Sequence, residues 1–272
     1  MNNRPIQPCN EGSPERIRQL LQVLKLKTID QHLERELASA LSENTPPAIF
    51  FERLLSIEAD ALLERRIERR IRESKIPERK TLDQFDFDFQ TGLDRRQVMS
   101  LATLGFAQQG QSLILGGHSG TGKSHIAKAL MLIACAKNFR CRYTTAADML
   151  KDLKSGLVDD TFDEKLKAYT RPELLCIDEL GFDRLEQDET RQASLFFKVI
   201  DRRYAKRSTI LTTNMDFKSL GDYLGDPILT AAMVDRLVHH AVILQIEGPS
   251  WRMHQSKELN NIQRASSTSE KQ

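Results

Sequence analysis

Residues 112–124, SLILGGHSGTGKS, decide how the rest of the chain folds. Ser112 to Leu115 is an apolar run of strand length, and from Lys123 to Lys137 apolar residues recur at helical spacing. Between them, Gly117-His118-Ser119-Gly120-Thr121-Gly122-Lys123-Ser124 fits G-x-x-x-x-G-K-[ST] in the strand-loop-helix context that pattern requires. The glycines let the backbone curl until several N–H groups converge on phosphate oxygens. The helix N-terminus adds partial positive charge, Lys123 reaches the outer phosphates, and Ser124 is placed to ligate Mg2+.

Downstream, helical stretches alternate with strands at Arg140–Thr144, Leu174–Asp178, Ser208–Thr213 and Ala241–Ile246, and upstream a helix covers Asp94–Gln108. That alternation predicts an α/β fold, a parallel sheet covered on both faces with ligands bound beyond the carboxyl ends of its strands. Two of those ends carry chemistry. Leu174-Leu175-Cys176-Ile177 is apolar enough for a fully buried strand, yet it runs into Asp178-Glu179. Unpaired buried charge is costly, and a magnesium ion supplies the partner. Asp178 would hold the metal directly or through water, and Glu179 would polarise the water attacking the γ-phosphate. The strand Thr209–Thr213 ends at Asn214, an ordinary turn residue when taken alone. If its strand lies between the other two, Asn214 can bond the γ-phosphate or the attacking water.

Residues 13–75 read as helical, opening on Ser13-Pro14 as N-cap and first-turn proline. Asn44-Thr45-Pro46-Pro47 interrupts them, and a third helix runs from about Pro46 to Ser74, closed by Pro77. Its end is basic, with eight Arg and Lys against three Glu from Arg65 to Lys80, a net +5. This reads equally as a solvated helix face or a phosphate-contacting one. Thr81–Gln90 then alternates Leu82, Phe85, Phe87 and Phe89 with acidic residues, as an extended strap. The expected organisation is a small all-α domain at 1–80, a linker at 81–92, a nucleotide-binding domain at 93–256 and a disordered tail at 257–272.

The chain's 272 residues, 40% hydrophobic, are enough to bury a core. Its 40 Lys+Arg and 38 Asp+Glu argue against a histone-like or acidic solvating protein. The balance is a cancellation, because Asp148–Glu189 carries −7 and Arg191–Lys218 carries +5. No apolar run reaches the roughly 18 residues of a membrane span, and the polar N-terminus lacks an export core, so a cytoplasmic protein is expected. Cys9, Cys135, Cys141 and Cys176 show no C-x-x-C spacing, which argues against disulfides and a thiolate metal site.

These residues resemble the AAA+ ATPases and, within them, the IstB-like helpers of bacterial insertion-sequence transposition. The likeness lies in RPELLCIDELGFDRL, RRYAKRSTILTTNMDF, GDPILTAAMVDRLVHHAVILQIEG and GPSWRM, and N-terminally in LKLKTIDQHLERELA and RRIERRIRESKIPERKTLDQFDFDF. The resemblance implies ATP with Mg2+, and a three-layer P-loop core without a full lid, since about twenty residues follow Arg252. It implies that Arg236 reaches the γ-phosphate held by a neighbouring subunit and that Arg252 is a second sensor arginine. The segment Ala147–Tyr169 resembles the helical insertion of the initiator branch, which makes Lys151 and Lys154 candidate DNA contacts. His239-His240 fits the family pattern and reads as structural.

The function so implied is an ATPase that oligomerises on duplex DNA, selects or remodels target sites, and recruits or stimulates a transposase. A DnaC-like helicase loader is the alternative, distinguished by what the N-terminal domain grips. A small-molecule kinase is disfavoured by Glu179, Asn214 and Arg236 together.

Overall fold

The computed structural model describes residues 13–181, 189–216 and 219–257. Compactness divides the chain into Met1–Arg69 and Arg70–Gln272. In the first unit, α1 (Pro14–Leu24), α2 (Lys27–Ser42) and most of α3 (Pro47–Glu73) bury Leu21, Ile29, Leu33 and Leu54. Ser13 caps α1, its hydroxyl accepting the Arg16 N–H at 3.3 Å, with Pro14 in the first turn.

The start of α2 has no such residue of its own. Glu58 of α3 serves instead, its Oε2 accepting the N–H groups of Thr28 and Ile29 at 2.8 and 3.0 Å while Oε1 pairs with Arg65 at 2.8 Å. A carboxylate from a neighbouring helix thus fills the open donors at the positive end of α2. Arg65, counted in the basic run, is in part committed to this internal bond.

The second unit holds β1 (Ser112–Gly117), β2 (Cys141–Thr145), β3 (Leu174–Leu180), β4 (Ser208–Thr213) and β5 (Ala241–Ile246). All pair in parallel, in the order β2-β3-β4-β1-β5. Its helices are α4 (Arg95–Leu101), α5 (Gly105–Gln108), α6 (Lys123–Ala136), α7 (Ala146–Gly156), α8 (Phe162–Thr170), α9 (Glu189–Arg203), α10 (Leu220–Leu224), α11 (Pro227–His239) and α12 (251–257). Leu113, Leu115, Leu174 and Cys176 enter one core with α4 to α6, whereas Ile114, Leu175, Ile177 and Leu211 enter a second with α7 to α11. Alternation into two apolar cores is what a parallel sheet covered on both faces requires, and it makes the unit a three-layer α/β domain.

Three segments depart from the sequence-based expectation. Residues 94–108 form two helices, because Leu104 adopts φ 64° and turns its fully buried side chain into the core. The strap is not extended throughout: Leu82–Gln84 is a 3-10 turn, with Leu82 and Phe85 buried in the α6-side core. α3 stops at Glu73, four residues before Pro77, and the Ser74 carbonyl accepts the Tyr143 N–H at 2.7 Å. Tail residues beyond 257, and Cys9, lie outside the described residues. Cys135, Cys141 and Cys176 are buried free thiols. No described helix is long and apolar enough to cross a membrane.

Arg203, at the end of α9, is 1% exposed and has carbonyls for partners in place of a carboxylate. It donates to Tyr169 O and Pro172 O at 2.9 and 2.8 Å, to Ser208 O, and to Thr209 Oγ1 at 2.9 Å. Burial pushes its guanidinium down to about 9, with Arg207 adding to the effect. The planar fork ties the turn before β3 to the start of β4.

Glu58→Ala is expected to cost about 1–3 kcal/mol, the penalty for leaving buried donors unmet, measured by urea unfolding followed by circular dichroism. Burial opposes ionisation of Glu58, but the bonds from Ile29, Arg65 and Thr28 outweigh it and hold its pKa below the ordinary 4.5. A lowered carboxyl stabilises fully above that ordinary value. The gap between wild type and variant should therefore be complete at neutral pH and shrink as pH falls below 4.5 through the lowered folded value.

Candidate nucleotide site

The strand order puts β4 between β3 and β1, so Asp178-Glu179, Asn214 and the glycine loop meet at one end of the sheet. A cavity of about 470 Å³ lies there, lined by the loop from Ser119 to Ser124, by Glu179, by Thr212 to Asn214, and by Arg252. Lys123 Nζ donates to the carbonyls of Gly117 and His118, both at 2.7 Å, so the ammonium sits inside the curl of the loop. Burial lowers its pKa; Asp178 opposes that shift and Arg252 reinforces it.

Gly120 and Gly122 have φ of 82° and 99°. A Cβ on Gly122 would lie 2.4 Å from the Phe85 ring, and one on Gly120 would lie 2.1 Å from Ser250 Oγ. Glycine here permits both the left-handed backbone and the close approach of two walls.

Asp178 is 1% exposed, and four donors hold it. Oδ1 accepts from Ser124 Oγ at 2.8 Å, from Thr212 Oγ1 and from the Glu179 N–H at 3.2 Å, and Oδ2 accepts from the Tyr143 hydroxyl. Burial, then the Asp178 charge, pushes the Tyr143 hydroxyl well up, so it remains a donor. The register slips at this point. Ile177 pairs with Leu211 and Leu180 with Thr213, so Asp178 and Glu179 together face Thr212, a bulge in which Glu179 has φ 62°. Neighbours in a regular strand point to opposite faces. Across this bulge, Asp178 lies against Ser124 while Glu179 lines the same cavity.

The other wall comes from the strap and α12. The Phe89 ring meets Trp251 and His254 edge-on at 4.8 and 4.9 Å, and Gln90 Nε2 donates to Pro249 O at 2.8 Å. The Trp251 N–H donates to Gly120 O at 3.0 Å. His125 Nε2 lies 2.7 Å from Thr81 O and must be the donor, since a carbonyl only accepts. Burial lowers the His125 pKa against the raising pull of that bond.

The structure thus gathers Ser119 to Ser124, Glu179, Asn214 and Arg252 around one cavity, with Gly117 and His118 bonded to Lys123 and Asp178 bonded to Ser124. It leaves Arg236 out. That residue, on α11, pairs with Asp201 at 3.0 Å and lies over the Phe197 ring at 4.8 Å. Lys151 and Lys154 are exposed on α7. His239 bonds the Tyr204 hydroxyl through Nδ1 at 2.7 Å, a structural contact.

Sequence reasoning missed Tyr143, Thr212 and the strap residues Phe85, Phe89 and Gln90 as parts of the site. The paired threonines that follow Ile210-Leu211, and three phenylalanines among acids, were the available signals. The Ser124 hydroxyl and Asp178 carboxylate form a hard-oxygen pair, a donor set that fits Mg2+ bound together with phosphate.

This fold and loop define a P-loop ATP-binding protein of the AAA+ class. The family described as IstB-like ATP binding protein matches residues 19–259, and the chain belongs to that family. It is 35% identical over 240 residues to an ATP-binding protein of insertion sequence IS232 from Bacillus thuringiensis subsp. berliner, covering 88% of this chain and 95% of that one. It is 34% identical over 238 residues to its counterpart in insertion sequence IS21 from Pseudomonas aeruginosa, covering 88% and 89%. Among solved structures, AMPPCP-bound DnaA from Aquifex aeolicus matches with TM-score 0.51 at 21% identity, over 64% of this chain and 51% of that one. DnaI matches with TM-score 0.50 at 21% identity, over 63% and 90%. At that identity these two structures speak to the fold alone.

Gly122→Ala is expected to displace the Phe85 side of the strap and to weaken ATP binding by about tenfold or more, since left-handed backbone alone costs a non-glycine residue about 1–2 kcal/mol. Trp251, the chain's only tryptophan, lines the cavity, so its fluorescence should report the titration.

Proposed function

We propose that this chain is a Mg2+-dependent ATPase that assembles on duplex DNA as a homo-oligomer with ATP between subunits, and that it helps transposition by selecting or remodelling target DNA and by recruiting or stimulating the transposase. The observation that carries the proposal is Glu179 in the wall of the cavity that holds Lys123 and Asn214, with Asp178 against Ser124 beneath. Phosphate binding alone does not require a second carboxylate there; polarising an attacking water does.

The loop N–H groups from Gly117 to Ser124 would wrap the phosphates, and Lys123 would exchange its carbonyl partners for phosphate oxygens. Ser124 and Asp178 would hold Mg2+, and the charge neutralisation that ion supplies when bound would act on the phosphates they face. Glu179 would take the water proton, Asn214 would orient the water or the γ-phosphate, and Arg252 would approach the phosphates from α12. Arg236 would act on the nucleotide of the adjacent subunit, a role worth about 10³ to 10⁵ in rate for trans arginines of GTPases.

Residues 1–80 would contact DNA or a partner, 81–92 would link, and 93–256 would carry ATPase chemistry in the cytoplasm. The basic run ending at Lys80, with Lys151 and Lys154, would meet DNA phosphates, so affinity should fall steeply with salt. The insertion-sequence names of the relatives favour a transposase over a replicative helicase as partner.

Lys123→Ala should remove the Trp251 response to ATP and the ATP-dependent assembly on duplex DNA seen by mass photometry. Assembly that survives this change would show that nucleotide is not the switch. Glu179→Gln should keep ATP and DNA binding, stop phosphate release, and lengthen the lifetime of the DNA complex. A variant complex that dissociates as fast as wild type would reject hydrolysis as the release step.

A further inference from the structure

Thr212 is the single residue of β4 that faces the two-residue bulge of β3, and its hydroxyl touches both bulged residues. Oγ1 donates to Asp178 Oδ1 and accepts the Glu179 N–H at 2.9 Å. A hydroxyl carries one proton and two lone pairs, so it makes both bonds at once. Thr213 holds the far side of the bulge, donating to Leu180 O at 3.0 Å and accepting the Met215 N–H at 3.1 Å.

Glu179 needs such a hold. Its φ of 62° is a conformation that non-glycine residues keep only where their surroundings impose it. Asp178 and Glu179 are also like charges on adjacent residues, and a hydroxyl donating to one side chain while accepting the other's backbone N–H sets their spacing.

We infer that Thr212 is the positioning residue of this site, fixing the Glu179 carboxylate relative to the ion-holding Asp178 so that water and ion are addressed at one constant separation. Tyr143, bonded to Oδ2, keeps the Asp178 carboxylate from turning about that link. This assignment deepens the proposed ATPase function and rests on it.

The test compares full-length wild type, Thr212→Val and Thr212→Ser, with ATP, Mg2+ and duplex DNA. Valine keeps the shape and loses both bonds; serine keeps the hydroxyl. Thr212→Val should retain the ATP titration of Trp251 fluorescence and its KM, while kcat for phosphate release falls about 10²-fold, as a displacement of order 1 Å produces. Its nucleotide complex should need more Mg2+ for half-saturation, read from the same fluorescence. Hydrogen exchange at the Glu179 amide should quicken about fivefold or more, the protection conferred by one hydrogen bond of ordinary net strength. Thr212→Ser should restore kcat and slow exchange.

Wild-type kcat or unchanged Glu179 exchange in Thr212→Val overturns the assignment, and so does a Thr212→Ser protein that loses kcat as valine does. A wild-type protein that binds ATP and releases no phosphate overturns the ATPase proposal instead, and the Glu179 amide still decides what holds the bulge.

Discussion

The Asp178 carboxylate is almost wholly removed from water, and a buried charge persists only where hydrogen bonds replace its hydration. Its donors come from four places: Ser124 at the start of α6, Tyr143 on β2, Thr212 on β4, and the N–H of the following residue in the bulge of β3. One side chain thereby fixes the relation of three adjacent strands to the helix that presents the glycine loop. A slip of one residue in any of these strands would turn a donor to the opposite face and leave the charge partly unmet. The site and the sheet register are therefore one constraint. Thr212 and Thr213 are compatible with a fully buried strand because this carboxylate and the backbone around the bulge satisfy them, as Arg203 satisfies Thr209.

The bulge also explains how two consecutive acids serve a single cavity. In regular pairing, one of them would enter the α7-to-α11 core, where an unpartnered carboxylate is prohibitive. An extra residue on β3 changes the aim of Glu179 at the cost of a left-handed backbone. The opposite wall needs no separate lid domain. The strap and α12 approach from distant parts of the sequence and meet through Phe89, Gln90, Pro249 and Trp251, and both touch the glycine loop: Phe85 lies against Gly122, and the Trp251 N–H bonds Gly120 O. Nucleotide held by the loop would meet a wall already in place.

The features legible in the sequence are those whose signal is local. The glycine loop, the apolar run before Asp178, and Ser13-Pro14 each announce themselves within a few residues, and the position of Asn214 followed once β4 was placed between β1 and β3. Strand limits were legible to within two residues, the largest differences being at β1, which runs on to Gly117, and at β3, which runs past Asp178 because the bulge returns Leu180 to the core. Hidden features depend on distant partners. Leu104 breaks a helix that its own periodicity supports, because a core pocket takes the side chain. Glu58 sits at a position that reads as an ordinary helix glutamate, yet it caps another helix thirty residues away. Tyr143 and Thr212 carry no motif, since their roles exist only through the carboxylate they share.

Two arginines show how burial separates fixed from transferable roles. Arg203 is enclosed and bonded to carbonyls on both sides of a turn, so releasing it would leave several acceptors unmet and open the start of β4. Arg236 is held by contacts that are each weak. Its pair with Asp201 joins side chains 31% and 47% exposed, and such pairs contribute about 0–1 kcal/mol. Its stacking on the half-buried Phe197 ring adds on the order of 1 kcal/mol. Those contacts present the guanidinium on the surface of α11 and are cheap to exchange for a stronger anionic partner. Within one chain, the described cavity lining contains Lys123 and Arg252, while Arg236 points elsewhere. The proposed role of Arg236 would need a second copy to bring its own cavity to that surface, and the ion pair given up with Asp201 would be a weak one.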